Sequence, residues 1–292
     1  MGGEAQIIVV ASAPRQLIDI AVARVEALEQ RWSRFIATSD VNRLARSGGQ
    51  PVRVSADTIL ALTRAVSAWA ATAGRFDPTV GSAMCALGYD RSFDQITSAA
   101  EPTASASAPG CADVSIDEAT RYVSAPPGVL VDLGGIGKGL AADIVATELR
   151  TAGADGVCVN LGGDLRVTGT PPTSDCWVVA VEHPGDRHAE VARIALVEGG
   201  VATSNAEGRV WRSGTTVRRH VVDPATGRSV EPIGAVTVVS GECWWAEVLA
   251  TAATVAGAAE MSTLVPALGG EFVHVDRSGE MTESAGFGVY LV

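Results

Sequence analysis

From residue 128 onward the sequence is a succession of short, β-branched apolar runs bounded by Gly or Pro, and helical spacing interrupts them in only two places. The runs at 129–133, 157–161, 177–181, 191–197, 217–222 and 235–240 have strand length and carry residues that suit a pleated, buried surface. One helix follows Lys138 and turns Leu140, Ala141, Ile144 and Val145 inward. The other lies near 245–256 and carries Val248, Leu249, Ala252 and Val255. Consecutive strands with separated helices give an α+β fold rather than a doubly wound sheet.

The first half adds fewer elements. Residues 5–10 (AQIIVV) read as a strand, and after Ser12 and Pro14 the spacing of Leu17, Ala21, Val25 and Leu28 predicts a helix to about Trp32. Ser55 is an N-cap signal for a second helix with Ile59, Leu62, Val66 and Trp69 on one face. Residues 97–112 are rich in Ala, Ser and Pro, and read as a mobile surface loop within one architecture.

Composition excludes several function classes. Against 22 Lys and Arg stand 33 Asp and Glu, a formal charge of −11, so a nucleic-acid partner is not expected. The 5 cysteines are widely spaced with no C-x-x-C pair, which argues against a zinc site or a disulfide framework. No apolar run approaches the roughly 20 residues that span a bilayer. With no signal peptide or lipobox, the chain as given is expected to be cytoplasmic, and a longer exported or membrane-anchored precursor stays compatible with the sequence.

Glycine-rich corners carry the chemical signal. In 131–139 (VDLGGIGKG), glycines surround Lys138 where an apolar run becomes a helix, a place where bare backbone and a lysine can meet a phosphate. The segment is neither G-x-x-x-x-G-K-[ST], because Gly139 follows the lysine, nor G-x-G-x-x-G, because Leu140 stands where a glycine is required. Asp132 and Lys138 bracket the turn. A second segment, 220–227 (HVVDPATG), puts His220 and Asp223 before a Pro-x-x-Gly turn, suited to proton transfer. Asn160 to Asp164 (NLGGD) is another glycine corner, and GRFDPTVG at 74–81 sets Phe76 beside Asp77. Glu247 and Thr251 share a helix face at i and i+4, where a carboxylate and a hydroxyl can bind a hard cation.

Taken in order, these pieces resemble the ApbE family of FAD:protein FMN transferases. The chain opens on Met1-Gly2-Gly3, similar to that family's MGT. Then come Trp32-Ser33-Arg34-Phe35 with Ser39-Asp40-Val41, GRFDPTVG, VDLGGIGKG, VNLGGD, Ala202-Thr203-Ser204, HVVDPATG and AEVLATA. The resemblance spans nearly the whole chain. It implies one ApbE-like domain over 1–292 with T-fold-like halves, mixed or antiparallel sheets and packed helices. It also implies FAD contacts at Met1, Phe76, Asp77, Asp132, Lys138 and Val221, and Mg²⁺ or Mn²⁺ held by Gly135, Glu247 and Thr251 with Ala250 adjacent. Catalysis is assigned by the same likeness to Lys138, which neutralises the pyrophosphate, and to His220, which accepts a proton. Asp223 orients either the histidine or the turn.

The implied reaction moves FMN from FAD onto a Ser or Thr of an acceptor flavoprotein bearing a D-G-x-[ST]-G-A-T-like segment, and AMP leaves. Two rivals use the same features: a Mg²⁺-dependent FAD pyrophosphatase, and an FAD carrier without turnover. Two residues depart from the family's pattern. Glu247 stands where aspartate is usual, and Arg75 precedes Phe76 where a small residue is usual.

Overall fold

The computed structural model describes residues 3–96, 106–173 and 175–292; Met1 and most of the predicted 97–112 loop lie outside them. An antiparallel seven-stranded sheet runs in the order Ala5–Val10, Gly156–Leu161, Asp164–Gly169, Gly199–Asn205, Ala235–Ser240, Glu271–Val275 and Met281–Glu283. The helices, in chain order, are α1 (Pro14–Trp32), α2 (Asp40–Ala45), α3 (Ala56–Ala71), α4 (Gly81–Ala86), α5 (Gly137–Thr151), α6 (Cys243–Ala256) and α7 (Ala258–Ala267). The architecture is α+β with antiparallel sheets, as the strand pattern requires. Among the described residues no helix is long and apolar enough to cross a membrane.

One core joins α1, α3, α5 and a face of the sheet through Leu28, Leu62, Ile136, Leu140, Leu149 and Val159. Another lies under the hairpin Trp177–His183 and Asp186–Leu196, with Val167, Ile194, Val201, Val273 and Phe287 at its centre. The predicted face of α3 is only partly buried: Ile59 and Leu62 face the core, Val66 and Trp69 lie at its margin, and Ala61, Ala65 and Ala68 complete the inward stripe.

Two glycine corners place the site. The hairpin between Leu161 and Asp164 has a two-residue loop, Gly162 and Gly163, with φ of +68° and +98°. Such a loop needs positive φ twice, which glycine alone adopts without strain. Asn160 Oδ1 accepts the Gly163 N–H at 2.9 Å and fixes the turn, so Asp164 starts its strand buried. At Gly139 the need is close approach: a Cβ there would lie 2.5 Å from the Cys243 carbonyl oxygen, so α5 meets the start of α6 backbone to backbone.

That junction is sealed by Asp143 of α5. Its Oδ1 accepts from Cys243 N at 3.0 Å and its Oδ2 from Trp244 N at 2.8 Å, which caps α6 from a neighbouring helix. Asp143→Ala is expected to lower stability by about 2 kcal/mol, read as a fall in Tm, because two buried N–H groups lose their acceptor. Burial pushes the Asp143 carboxyl from 3.8 up to about 6, against the pull of its two amide bonds. Its folded form therefore holds the proton more tightly than the unfolded chain does. The associated stability is present at low pH and declines as pH rises through about 6, a dependence that Asp143→Asn should abolish.

Two expected strands differ. Residues 129–133 join no sheet: Val129, Val131 and Leu133 face the core while Asp132 N donates to Pro78 O at 2.7 Å. The 217–222 run is broken into Thr216–Arg219 and Val222–Asp223, which pair with different strands, Val210–Ser213 and Arg228–Ser229. His220 and Val221 sit at the break.

Candidate active site

The turn before α5 is held by its own aspartate. Asp132 Oδ1 accepts the Gly134 N–H at 2.8 Å, and Oδ2 accepts from Arg34 Nε at 2.7 Å. Arg34 is buried. Its Nη1 donates to Tyr89 O at 2.6 Å, and its guanidinium lies 4.2 Å from the Phe35 ring centroid and 4.7 Å from that of Tyr89. Asp132 is thus a fixed acceptor rather than a swinging one.

Gly135, at the apex, faces α6. A Cβ on it would sit 3.2 Å from the Phe76 ring and 3.3 Å from Thr251 Oγ1, so its bareness keeps the space beside that hydroxyl open. Phe76 and Asp77 are buried behind the turn. Asp77 Oδ1 accepts from Thr79 N at 2.7 Å and from Thr79 Oγ1 at 2.6 Å, capping the turn Pro78–Val80. Burial raises the Asp77 pKa against the pull of these bonds. Arg75 points away, to Glu260 on α7.

Lys138 lies where three chain segments meet. Its Nζ is 3.0 Å from Glu247 Oε1 and in contact with Asp164 Oδ2. Glu247 Oε2 accepts the Gly139 N–H at 2.8 Å, while Oε1 forms no aligned hydrogen bond despite its burial. Burial pushes the Glu247 pKa up, with the Lys138 charge opposing. A groove of about 210 Å³ opens beside Lys138, bordered by Gly3, Glu4, Val25 and Gly162.

His220 stands across the Val210–Ser213 and Thr216–Arg219 hairpin from Arg209, one step beyond the Val210↔Arg219 pair, and its N–H donates to Arg209 O at 3.3 Å. Cross-strand neighbours put the guanidinium beside the imidazole. Burial, then the charges of Arg209 and Lys138, lower its pKa to about 4, with Asp132 pulling the other way. His220 is therefore neutral at pH 7, the form that accepts a proton. Asp223 does not hold it: Oδ1 takes Ala225 N at 3.0 Å and Oδ2 takes Thr226 Oγ1 at 2.8 Å, so that carboxylate shapes its own turn. Val221 is buried with its carbonyl on Val230 N at 3.0 Å. Ala250 is buried too, and its carbonyl accepts from Thr254 Oγ1 at 2.9 Å.

Among the described residues no group of three His, Cys, Asp or Glu side chains stands ready for a metal. A hard cation would instead rely on one carboxylate, a hydroxyl and backbone oxygen. The donors near Gly135 fit that: Glu247 Oε1 is a buried oxygen without a hydrogen bond, and the missing Cβ leaves room at Thr251 Oγ1.

A family model described as the ApbE family matches residues 1–272 of this chain. The chain belongs to the ApbE family. Among curated relatives, an FAD:protein FMN transferase from Vibrio cholerae is 28% identical over 240 residues, covering 80% of this chain and 71% of its own length. One of the same name from Haemophilus influenzae is 28% identical over 276 residues, covering 90% and 72%. Among solved structures, an ApbE protein from Thermotoga maritima superposes with a TM-score of 0.87 at 24% identity, covering 99% of this chain and 96% of that one. The flavin transferase ApbE from Vibrio cholerae gives a TM-score of 0.81 at 24% identity, with 100% and 96% covered. The α+β class with antiparallel sheets and packed helices expected from the resemblance is the one observed.

Of the residues singled out in the sequence, the ApbE fold brings Asp132, Gly135, Lys138, Glu247, Thr251 and His220 to one corner. Sequence reading missed Arg34, Tyr89, Asp164 and Arg209. The guanidinium of Arg34 stood inside the quoted W-S-R-F segment, and the Asp164 carboxylate ended the quoted N-L-G-G-D corner. Tyr89 Oη, by contrast, meets Arg209 Nη1 at 3.2 Å across 120 residues, a pairing no local pattern announces.

Arg209 bears on pH dependence. With His220 lowered to about 4, activity that needs its neutral form should hold down to about pH 5 and fail below. Arg209→Gln should move that acid limb upward, and a limb unmoved in the pH–rate profile would show that Arg209 has no influence on the imidazole.

Proposed function

We propose that the chain is a Mg²⁺-dependent FAD:protein FMN transferase in which residues 1–292 act as one ApbE-like unit. The observation that carries this reading is the meeting of Lys138, the Gly135 turn, Glu247, Thr251 and a neutral His220 at the start of α5, in a chain of the ApbE family. Curated relatives named FAD:protein FMN transferase support it.

The acceptor hydroxyl, on a Ser or Thr within a D-G-x-[ST]-G-A-T-like segment, attacks the phosphorus of the FMN half. A new P–O bond forms, the pyrophosphate P–O bond breaks, and AMP leaves. His220 takes the hydroxyl proton as general base. Lys138 supplies positive charge toward the pyrophosphate. Gly135 through its carbonyl, Glu247 and Thr251 would hold Mg²⁺ or Mn²⁺, with Ala250 packed alongside. When bound, such an ion neutralises the charge that develops on the leaving phosphate. Asp132, pinned by Arg34, offers a fixed acceptor to FAD. Phe76 and Asp77 back the glycine turn, and Met1 and Val221 complete the flavin contacts implied by the family. Asp223 sets the turn that carries His220.

Incubation with FAD, Mg²⁺ and an acceptor separates this reading from its rivals. Flavin covalently bound to the acceptor supports transfer. Free FMN and AMP without an adduct indicate water as the nucleophile, and unchanged FAD indicates carriage. In titrations followed by flavin fluorescence, FAD should bind more tightly than FMN. Equal affinities would mean that the AMP half is not recognised.

A further inference from the structure

Lys138 is engaged before any ligand arrives. Its ammonium bridges Glu247 and Asp164, whose side chains are only 5% and 2% exposed. The second oxygen of each is already occupied: Glu247 Oε2 holds Gly139 N–H at 2.8 Å and Asp164 Oδ1 holds Thr203 N–H at 3.3 Å. Two buried carboxylates side by side are costly unless a cation sits between them. Here the cation is the lysine itself, 3.0 Å from Glu247 Oε1. The carboxylates are fixed, Asp164 by the Gly162-Gly163 hairpin and Glu247 within α6. The lysine is not fixed to the same degree: its side chain is 24% exposed and its four-carbon stem is flexible.

We propose that Lys138 is a built-in counter-ion that competes with the divalent cation for Glu247, and that Asp164 is the positioning residue that keeps the lysine head in the site once Glu247 is given up. The proposal rests on the cation reading above. Once the ion pair with Glu247 is given up, the ammonium can turn its charge and free N–H donors to a phosphate oxygen while the contact with Asp164 keeps the head at the α5 start. Binding of the cation and of an anionic ligand would then favour one another, since each draws on the same lysine. In a chain of charge −11, this exchange lets the site meet a pyrophosphate without carrying an unpaired buried ammonium beforehand.

The test is direct Mn²⁺ binding to the full chain without FAD, read from loss of the free-ion paramagnetic resonance signal. Lys138→Met leaves both carboxylates without a cation and should bind Mn²⁺ about tenfold more tightly than the unmutated chain; Asp164→Asn, which leaves the lysine wholly on Glu247, should bind it more weakly. A Lys138 that serves only as a structural bridge predicts loss of affinity in both variants. Equal or weaker binding by Lys138→Met, or tighter binding by Asp164→Asn, overturns the proposal. Should Lys138→Met fail to fold, Lys138→Met/Asp164→Asn removes the buried charge imbalance and must bind more tightly than Asp164→Asn alone, or the proposal fails. Adding Glu247→Ala to the tight-binding variant separates the two readings. Loss of Mn²⁺ then keeps the ion at Glu247, whereas retention places it elsewhere and overturns the cation assignment as well.

Discussion

Replacing Glu247 with alanine is expected to reduce FMN transfer by about a hundredfold or more while only weakening FAD binding, because it removes the carboxylate assigned to a hard cation beside the glycine turn. The residue is buried in the middle of α6, and its longer arm reaches across to α5, where Oε2 meets Gly139 N and Oε1 meets Lys138. Activity should be abolished by EDTA and restored by Mg²⁺ or Mn²⁺. Glu247→Asp should keep that EDTA-sensitive activity, since Thr251 retains its register and the Gly135 space is unchanged. A Glu247→Ala chain with undiminished rate would reduce the residue to a helix-packing carboxylate.

His220→Ala carries the second large effect. Transfer should slow by roughly 10²–10⁴, the range for a lost general base, with FAD affinity nearly unchanged. The imidazole is suited to that role because burial and two neighbouring cations hold it neutral, with a pKa of about 4. No carboxylate holds its Nδ1, which is buried without a hydrogen-bond partner, so its basicity is not raised in the manner of a His–Asp pair. Nδ1 has no hydrogen bond to lose on truncation, so the cost in stability is that of the ring's packing. An unchanged Tm beside a large loss of rate separates a catalytic role from a structural one, and an unchanged rate across pH would remove His220 from the reaction.

Much of this was written locally in the sequence. The strand Ala5–Val10, the helix to Trp32 and the Ser55 cap follow from period and capping chemistry, and Ser55 Oγ does accept from Thr58 N at 3.1 Å. The glycine corners were legible because positive φ and close backbone approach leave a residue signature. The 129–133 segment differs for a related reason: its apolar alternation reports which side is buried, not whether its edge meets a strand or the Pro78 turn. The site itself was legible only in part. Asp132, Lys138, Glu247 and Thr251 lie in recognisable segments. What surrounds them is tertiary: Arg34 reaches Asp132 over 98 residues, and Asp143 caps a helix 100 residues away. The sequence likewise left the role of Asp223 open, and only the hydrogen bonds to Ala225 and Thr226 tie it to the turn.

The central claim, transfer of FMN from FAD to a hydroxyl, is tested most directly by the intact mass of the acceptor. A purified acceptor bearing the D-G-x-[ST]-G-A-T-like segment is incubated with this chain, FAD and Mg²⁺, beside a control whose target Ser or Thr is alanine. The account predicts a gain equal to FMN less one water on the acceptor, none on the control, and AMP released in equal amount. An acceptor of unchanged mass, with FAD either intact or hydrolysed to FMN and AMP, would contradict it.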